Sequence, residues 1–510
     1  MFPLIERHAD EIQGILSCYD RVLVRGNLLG LGYADGMTSY LYEQGIRIFD
    51  YPKFAKRLRE RLRENAYEIA KTTGIPLVST NSLNGMRKEK WVRNYLKERG
   101  DATGMVCILS AMEPCTKYKP WHDKKSGRTF LKHEKGRCLY FYFYMMDERF
   151  GLCFMRVPTW CPFQLQFYFN GHSLLETELR RSNIGYEKLD NAFVAIDDFE
   201  QAQALADKFP MLELCQTLKR YSLRFLPFLT ELGLDYRWTV MQVEYCTDIV
   251  FRRQEDLQAI YEPLLRTAIH AVKAEDVATF LGRKLHGNYR DEAGNDLGRR
   301  VGGTRIKHKM GKASIKMYDK RGIILRIETT CNDISFFKHH RTVFHRNGEH
   351  STKVAPMKKT LYNLSIELPQ LMRACNHRYL DFISALEAPS SSTRMLEKLR
   401  GRVVQDGRSY RGFNFFLPED RSLFEVLLRG EFNLSGLRNR ELRAFLPELS
   451  PGQISHRIKR LRVHGILKKV AHTYKYHLTK FGRRVLATAL QVREFVVLPA
   501  LRPPPASESQ

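Results

Sequence analysis

Arg237 to Phe251 reads RWTVMQVEYCTDIVF, and Val301 to Phe337 reads VGGTRIKHKMGKASIKMYDKRGIILRIETTCNDISFF. Both are rich in β-branched and aromatic residues and predict strands. Successive side chains alternate across a strand. Gln242, Glu244, Cys246 and Asp248 therefore share one face, and Val243, Tyr245, Thr247 and Ile249 share the other. Two acids four residues apart on one strand face make a poor core. They suit a divalent cation, because Mg²⁺ prefers oxygen ligands and takes few carboxylates from protein. On the second strand Arg326 and Glu328 alternate with Leu325 and Ile327, so Glu328 offers a third acid. Mg²⁺ or Mn²⁺ held by Glu244, Asp248 and Glu328 beside a basic groove would suit phosphodiester chemistry.

The groove is expected from Arg305, Lys307, His308, Lys309, Lys312 and Lys316, cations placed to hold a phosphate backbone. Tyr318, Asp319 and Lys320 follow. A tyrosine hydroxyl attacks phosphorus once its proton is removed, and Lys320 would stabilise the developing charge. Each piece also has a plain reading: Glu244 and Asp248 on a solvated sheet edge, Tyr318 as a sheet tyrosine, Glu328 paired with Arg305 or Lys316.

Taken in order, these residues resemble the rolling-circle plasmid replication initiators and their filamentous-phage relatives. Glu244-Tyr-Cys-Thr-Asp248 stands for that family's Asp-x-x-x-Asp strand, with Glu in the first position. Gly303-Thr304-Arg305 through Ser314 matches a second element with extra residues inserted. Tyr318-Asp319-Lys320 and Arg326-Ile327-Glu328 match the third and fourth. The resemblance implies a metal-dependent site where a tyrosine nicks one DNA strand, in a replication initiator of a mobile element. Tyr318 is the expected nucleophile and Tyr289 the reserve. The match covers about a fifth of the chain, and the chain as a whole resembles a family of long bacterial proteins.

Outward from this centre the chain divides by pattern. The 510 residues exceed one core, and two to four domains are expected. Residues 1–230 read as an N-terminal α+β region of unassigned role, with a short strand at Arg21–Val24 and basic amphipathic helices at 54–71 and 86–99. Strands are expected over 104–170, including a hairpin around Asp147-Glu148-Arg149. The aromatic run Tyr140 to Tyr144 reads as a core strand. Residues 235–387 form the central sheet domain, 388–416 a Ser-containing linker, 417–499 a winged helix-turn-helix, and 500–510 a disordered tail. The fold class is α+β, a central antiparallel sheet with flanking helices.

In the C-terminal part, Ser450 caps a helix that opens with Pro451. Its expected outer face carries Gln453, His456, Arg457, Lys459, Arg460 and Arg462, residue types that read base edges and phosphates in a major groove. Lys plus Arg outnumber Asp plus Glu by 83 to 56, a net charge of +27, which points to a nucleic-acid partner, DNA first. No run of about 18 apolar residues predicts a membrane span, and the first residues lack the order of a secretory leader. The ten cysteines form no C-x-x-C pair and read as buried thiols of a cytoplasmic protein.

Two further functions remain open at this point. A non-enzymatic winged-helix regulator would disperse the acids and form a homodimer with recognition helices one DNA turn apart. A hydrolytic nuclease would keep the metal without the tyrosine.

Overall fold

The computed structural model describes residues 3–83, 85–283, 293–300, 303–345, 347–384, 397–429, 432 and 436–492. Tyr289, the Ser tract at 390–392 and the tail at 500–510 lie outside them. The chain falls into two units, residues 1–261 with 274–380, and residues 262–273 with 381–510.

In the larger unit the chain begins with α1 (Pro3–Arg7), β1 (Ile12–Leu28), α2 (Ala34–Glu43), α3 (Tyr51–Thr73), β2 (Leu77–Ser79) and α4 (Lys88–Arg99). Four strands follow, β3 (Gly104–Asp123), β4 (Arg128–Asp147), β5 (Gly151–Pro158) and β6 (Leu165–Asn170). Next come α5 (Gly171–Arg181), the small hairpin β7 (Tyr186–Lys188) and β8 (Phe193–Ile196), α6 (Phe199–Ala206) and α7 (Met211–Phe225). β9 (Tyr236–Phe251) leads to α8 (Gln254–His270) and α9 (Ala274–Phe280). Then β10 (Ala293–Arg300), β11 (Gly303–Met310), β12 (Ala313–Lys320) and β13 (Ile324–Cys331) run up and down, before β14 (Lys338–Phe344), β15 (His350–Pro356) and α10 (Glu367–Ser384).

Eleven strands form one sheet in the order β10-β11-β12-β13-β9-β1-β6-β5-β4-β3-β2. Every pairing is antiparallel except β2 with β3. This is the expected α+β class. β1, from the region read above as N-terminal, lies between β9 and β6 near the middle of that sheet. The segment 303–320 turns back at Gly311, whose positive φ of 53° suits a tight turn. Arg321 and Gly322, both at positive φ, make the next hairpin turn.

Helices cover the sheet because its strands are apolar on both faces. Phe141 and Phe143 of β4 are buried on one side, Phe143 stacking on Phe225 of α7 at 4.1 Å. Tyr140, Tyr142 and Tyr144 pack on the other side with Val92 of α4, so the aromatic run is core. Near the middle, Leu16, Cys18 and Cys246 pack with Leu175 and Leu179 of α5 and Ala202 of α6. Behind β9 and β13, Asn376 of α10 binds Thr329 (2.6 Å) and Thr247 (3.2 Å).

In the second unit, β16 (Val403–Gln405) and β17 (Arg408–Tyr410) precede α11 (Pro418–Leu427), α12 (Asn439–Arg443) and α13 (Pro451–Val463). A hairpin of β18 (Leu467–Lys469) and β19 (Tyr476–Leu478) follows, then α14 (Lys480–Val492). Leu437 bridges to Tyr476 beside the hairpin. Leu423, Phe424, Leu442, Ile454, Ile458, Leu461 and Leu486 form its core. Ser450 accepts from the Gln453 backbone N–H, as expected, and Asp198 caps α6 in the same way through Gln201. Among the described residues no helix is long and apolar enough to cross a membrane.

Candidate functional site

The site lies on the sheet face that carries Glu244. β9 and β13 pair with Glu244 opposite Thr330, Cys246 opposite Glu328 and Asp248 opposite Arg326, so all six share that face. β12 adds Lys316 opposite Glu328 and Tyr318 opposite Arg326. On the other flank β1 brings a residue the sequence reading passed over. The β1–β9 register runs Cys18↔Cys246, Tyr19↔Tyr245, then Arg21↔Glu244, leaving Asp20 as the extra residue of a bulge. A bulge re-aims a side chain, and here it turns Asp20 toward the acids.

Donor oxygens of Asp20, Glu244 and Glu328 all lie within 4.8 Å of one another. Three carboxylates are a hard oxygen set of the kind Mg²⁺ or Mn²⁺ takes. Lys316 Nζ hydrogen-bonds Glu328 and stands 3.9 Å from Glu244. Tyr318 is 3% exposed, and its hydroxyl donates to Glu328 Oε2 at 2.8 Å. Burial, then the charge of Glu328, pushes the Glu244 carboxyl above its ordinary value, against the pull of Lys316. A divalent cation held between these carboxylates would favour their charged forms.

Asp248 stands apart from this trio. Arg326 Nε and Nη2 donate to its two oxygens, each at 2.6 Å. Burial raises the Asp248 carboxyl, but the Arg326 charge and the hydrogen bonds of His172 and Arg326 outweigh it and hold it at about 2. Arg326, wholly buried, also donates to Asn191 O at 2.7 Å and to His172 Nε2 at 3.1 Å, and lies 3.7 Å from Asp20. So the strand-face expectation for Asp248 meets a different arrangement: its register partner is a guanidinium that engages both its oxygens, and Asp248 is not among the three grouped acids.

His172 holds Asp20 in place, its Nδ1 being 3.2 Å from Asp20 Oδ1. Asn170 caps α5 through the His172 backbone N–H (2.9 Å) and donates Nδ2 to Asp20 Oδ1 at 3.1 Å. Asn191 adds a third bond at 2.6 Å. Burial would raise Asp20, yet the His172 hydrogen bond and the Arg326 charge keep it well below the usual carboxylate range. Gly171 makes the approach of α5 to the bulge feasible, since a Cβ there would meet Tyr19 O at 2.0 Å. Cys18, His172 and Cys246 also group closely. The Arg326 guanidinium against His172 Nε2 opposes a cation there.

The remaining expected residues scatter. Arg305 pairs with Asp296 at 2.8 Å. Lys307 is half-buried, and burial followed by the charge of Lys316 lowers its ammonium. Lys309 and Lys312 are exposed. His308 is a correction: it points to the opposite face, fully buried, bonding Asn295 and Tyr379 at 2.6 and 3.0 Å, because strand alternation turns it away from Lys307 and Lys309. Lys320 Nζ donates to Asn191 O at 2.9 Å rather than pointing at the trio. On α13, Gln453 and Arg462 are exposed, and His456, also exposed, stacks near Tyr410. Gln453 spends its Oε1 on the Ser450 N–H, Arg457 donates to Glu419 O, and Lys459 lies 3.6 Å from Asp406. Arg460 is the second correction. It is buried against Asp420 at 2.7 and 3.0 Å, because α11 supplies a carboxylate that charge patterning cannot locate.

The fold and site together define an α+β protein with a buried carboxylate–tyrosine cluster on its central sheet. No protein-family model matches the chain, and no curated protein matches it. Among solved structures it is similar to a rolling-circle replication initiator protein from Geobacillus stearothermophilus, at 7% identity over 63% of this chain and 75% of that one. The TM-score is 0.18, so this likeness carries no argument about either protein's chemistry.

Proposed function

We propose that the chain is a metal-dependent DNA strand-nicking and joining enzyme of the replication-initiator kind. The observation that carries this reading is the convergence of Asp20, Glu244 and Glu328 within 4.8 Å, with the Tyr318 hydroxyl on Glu328. A bound Mg²⁺ or Mn²⁺ would polarise the scissile phosphate. Glu328 is placed to take the Tyr318 proton. The phenolate oxygen would then bond to phosphorus as the bond from phosphorus to one sugar oxygen breaks, that oxygen leaving as a hydroxyl once it takes a proton from solvent. Attack by a freed DNA hydroxyl on the phosphotyrosine reverses the step and joins strands. Lys316 balances charge beside Glu328. The exposed side chains of α13, in a winged-helix arrangement, would bind duplex DNA.

The test is labelled single-stranded and supercoiled DNA with Mn²⁺, read on a denaturing gel beside Tyr318→Phe. A covalent protein–DNA band lost in the variant supports the reading. Cleavage without a covalent band selects a hydrolytic nuclease, which the burial of Tyr318 favours as the second reading. Binding without cleavage in any metal selects the winged-helix regulator.

A further inference from the structure

The strands β3 and β4 are far longer than their neighbours. β5 pairs with β4 only as far as Tyr140, and β2 pairs with β3 only at Ile108 to Ser110. Beyond those points the two strands continue as a ribbon, through Asp123 opposite Arg128. From Glu113 to Arg137 the sequence holds eight Lys and Arg against three Asp and Glu.

The ribbon has an anchored face and an offered one. Tyr118 and Leu131 are buried, Tyr118 donating to Leu31 O at 2.7 Å and packing on Tyr51. On the opposite face the register sets Lys119 against Lys132 and Trp121 against Phe130. Trp121 is 44% exposed, and Lys132 Nζ sits 3.8 Å from its ring centroid. Lys117 on the same face stands 5.4 Å from the Trp160 ring at the ribbon's base, with Arg59 at 5.7 Å. Cavities of about 490 and 390 Å³ both open on Trp160. A core ribbon has no use for an exposed indole among lysines.

We infer that the ribbon face bearing Lys117, Lys119, Trp121 and Lys132, with Trp160 at its base, binds a single-stranded segment of nucleic acid. Rings interleaved with cations suit that partner: bases stack on the indoles while lysines track phosphates. Bases in a duplex are already stacked, so they gain nothing from the rings. The inference stands apart from the nicking reading, because it needs neither metal nor Tyr318.

The test uses the full-length protein in EDTA with fluorescein-labelled (dT)20 and a 20-base-pair duplex, read by anisotropy across a salt series. Trp121→Ala should weaken (dT)20 binding about 5- to 150-fold, and Trp121→Phe should restore most of it. The double variant Lys119→Ala/Lys132→Ala should flatten the salt slope by about 1.4, from ~0.7 per phosphate contact on single strands. Duplex binding should change less than two-fold. If both variants bind (dT)20 like the parent, or lose duplex affinity equally, the inference falls. Glu244→Gln, run alongside, should abolish cleavage yet bind (dT)20 normally, which separates the two proposals.

Discussion

Replacing Arg326 with Met should be among the most destabilising single changes in the larger unit. Arg326 is wholly buried, and its two donors hold both oxygens of Asp248, itself 1% exposed. Removing one member of a buried pair leaves the other charge uncompensated, at a cost of about 3–5 kcal/mol. The carboxyl itself gives an independent scale. It is held at about 2 against an ordinary 3.8, a difference on the order of 2–3 kcal/mol at neutral pH. A carboxylate whose folded value is depressed stabilises the fold above its unfolded value, and that contribution fades as pH falls from about 4 to about 2. With an unfolding entropy of ~2.1 cal/mol/K per residue over roughly 370 residues, 3–5 kcal/mol lowers Tm by about 4–6 °C. Calorimetry at pH 7 should show that drop for Arg326→Met. The double variant Arg326→Met/Asp248→Leu should recover part of it, since two apolar side chains remove the stranded charge. An Arg326→Met protein melting within 1 °C of the parent would refute the reasoning.

Gly171→Ala should cost about 1–3 kcal/mol or more, because its Cβ would strike Tyr19 O; thermal melting checks it. Arg460→Ala should strip hydrogen-exchange protection from α13 by leaving Asp420 buried and unpaired, whereas exposed Arg462→Ala should leave exchange unchanged and weaken duplex binding. Burial, then the charge of Arg326, lowers the Lys320 ammonium from 10.5 to about 8. The unfolded chain therefore binds more protons between those values, and stability should rise with pH across that window. Lys320→Met should flatten the rise, as melting temperatures from pH 8 to 10.5 would show.

Strand alternation set Glu244 with Asp248 on one face of its strand and Arg326 with Glu328 on one face of another, a local inference; that the two faces coincide is decided by the pairing of β9 with β13. The pairing of Glu328 with Lys316 was one of the open readings and is present. Asp20 was not legible. It acts through a bulge, and a bulge exists only in the pairing of β1 with β9, more than 200 residues away. A carboxylate inside the apolar run CYDRVLV was the available signal. His172 carries no signal in the sequence, because its contact with Asp20 exists only once α5 packs on the bulge of β1. Asp248 and Arg460 misled for a shared reason: each found an opposite charge from another element, and sequence shows the charge without its partner.

Calorimetric titration of Mn²⁺ into the metal-free protein tests the central claim most directly, with Asp20→Asn, Glu328→Gln and Asp248→Asn as comparisons, each first checked for a native melting transition. The account predicts that the parent and Asp248→Asn bind the ion, while Asp20→Asn and Glu328→Gln lose at least ten-fold in affinity. Undiminished binding by Asp20→Asn and Glu328→Gln, or no binding by the parent, would contradict it.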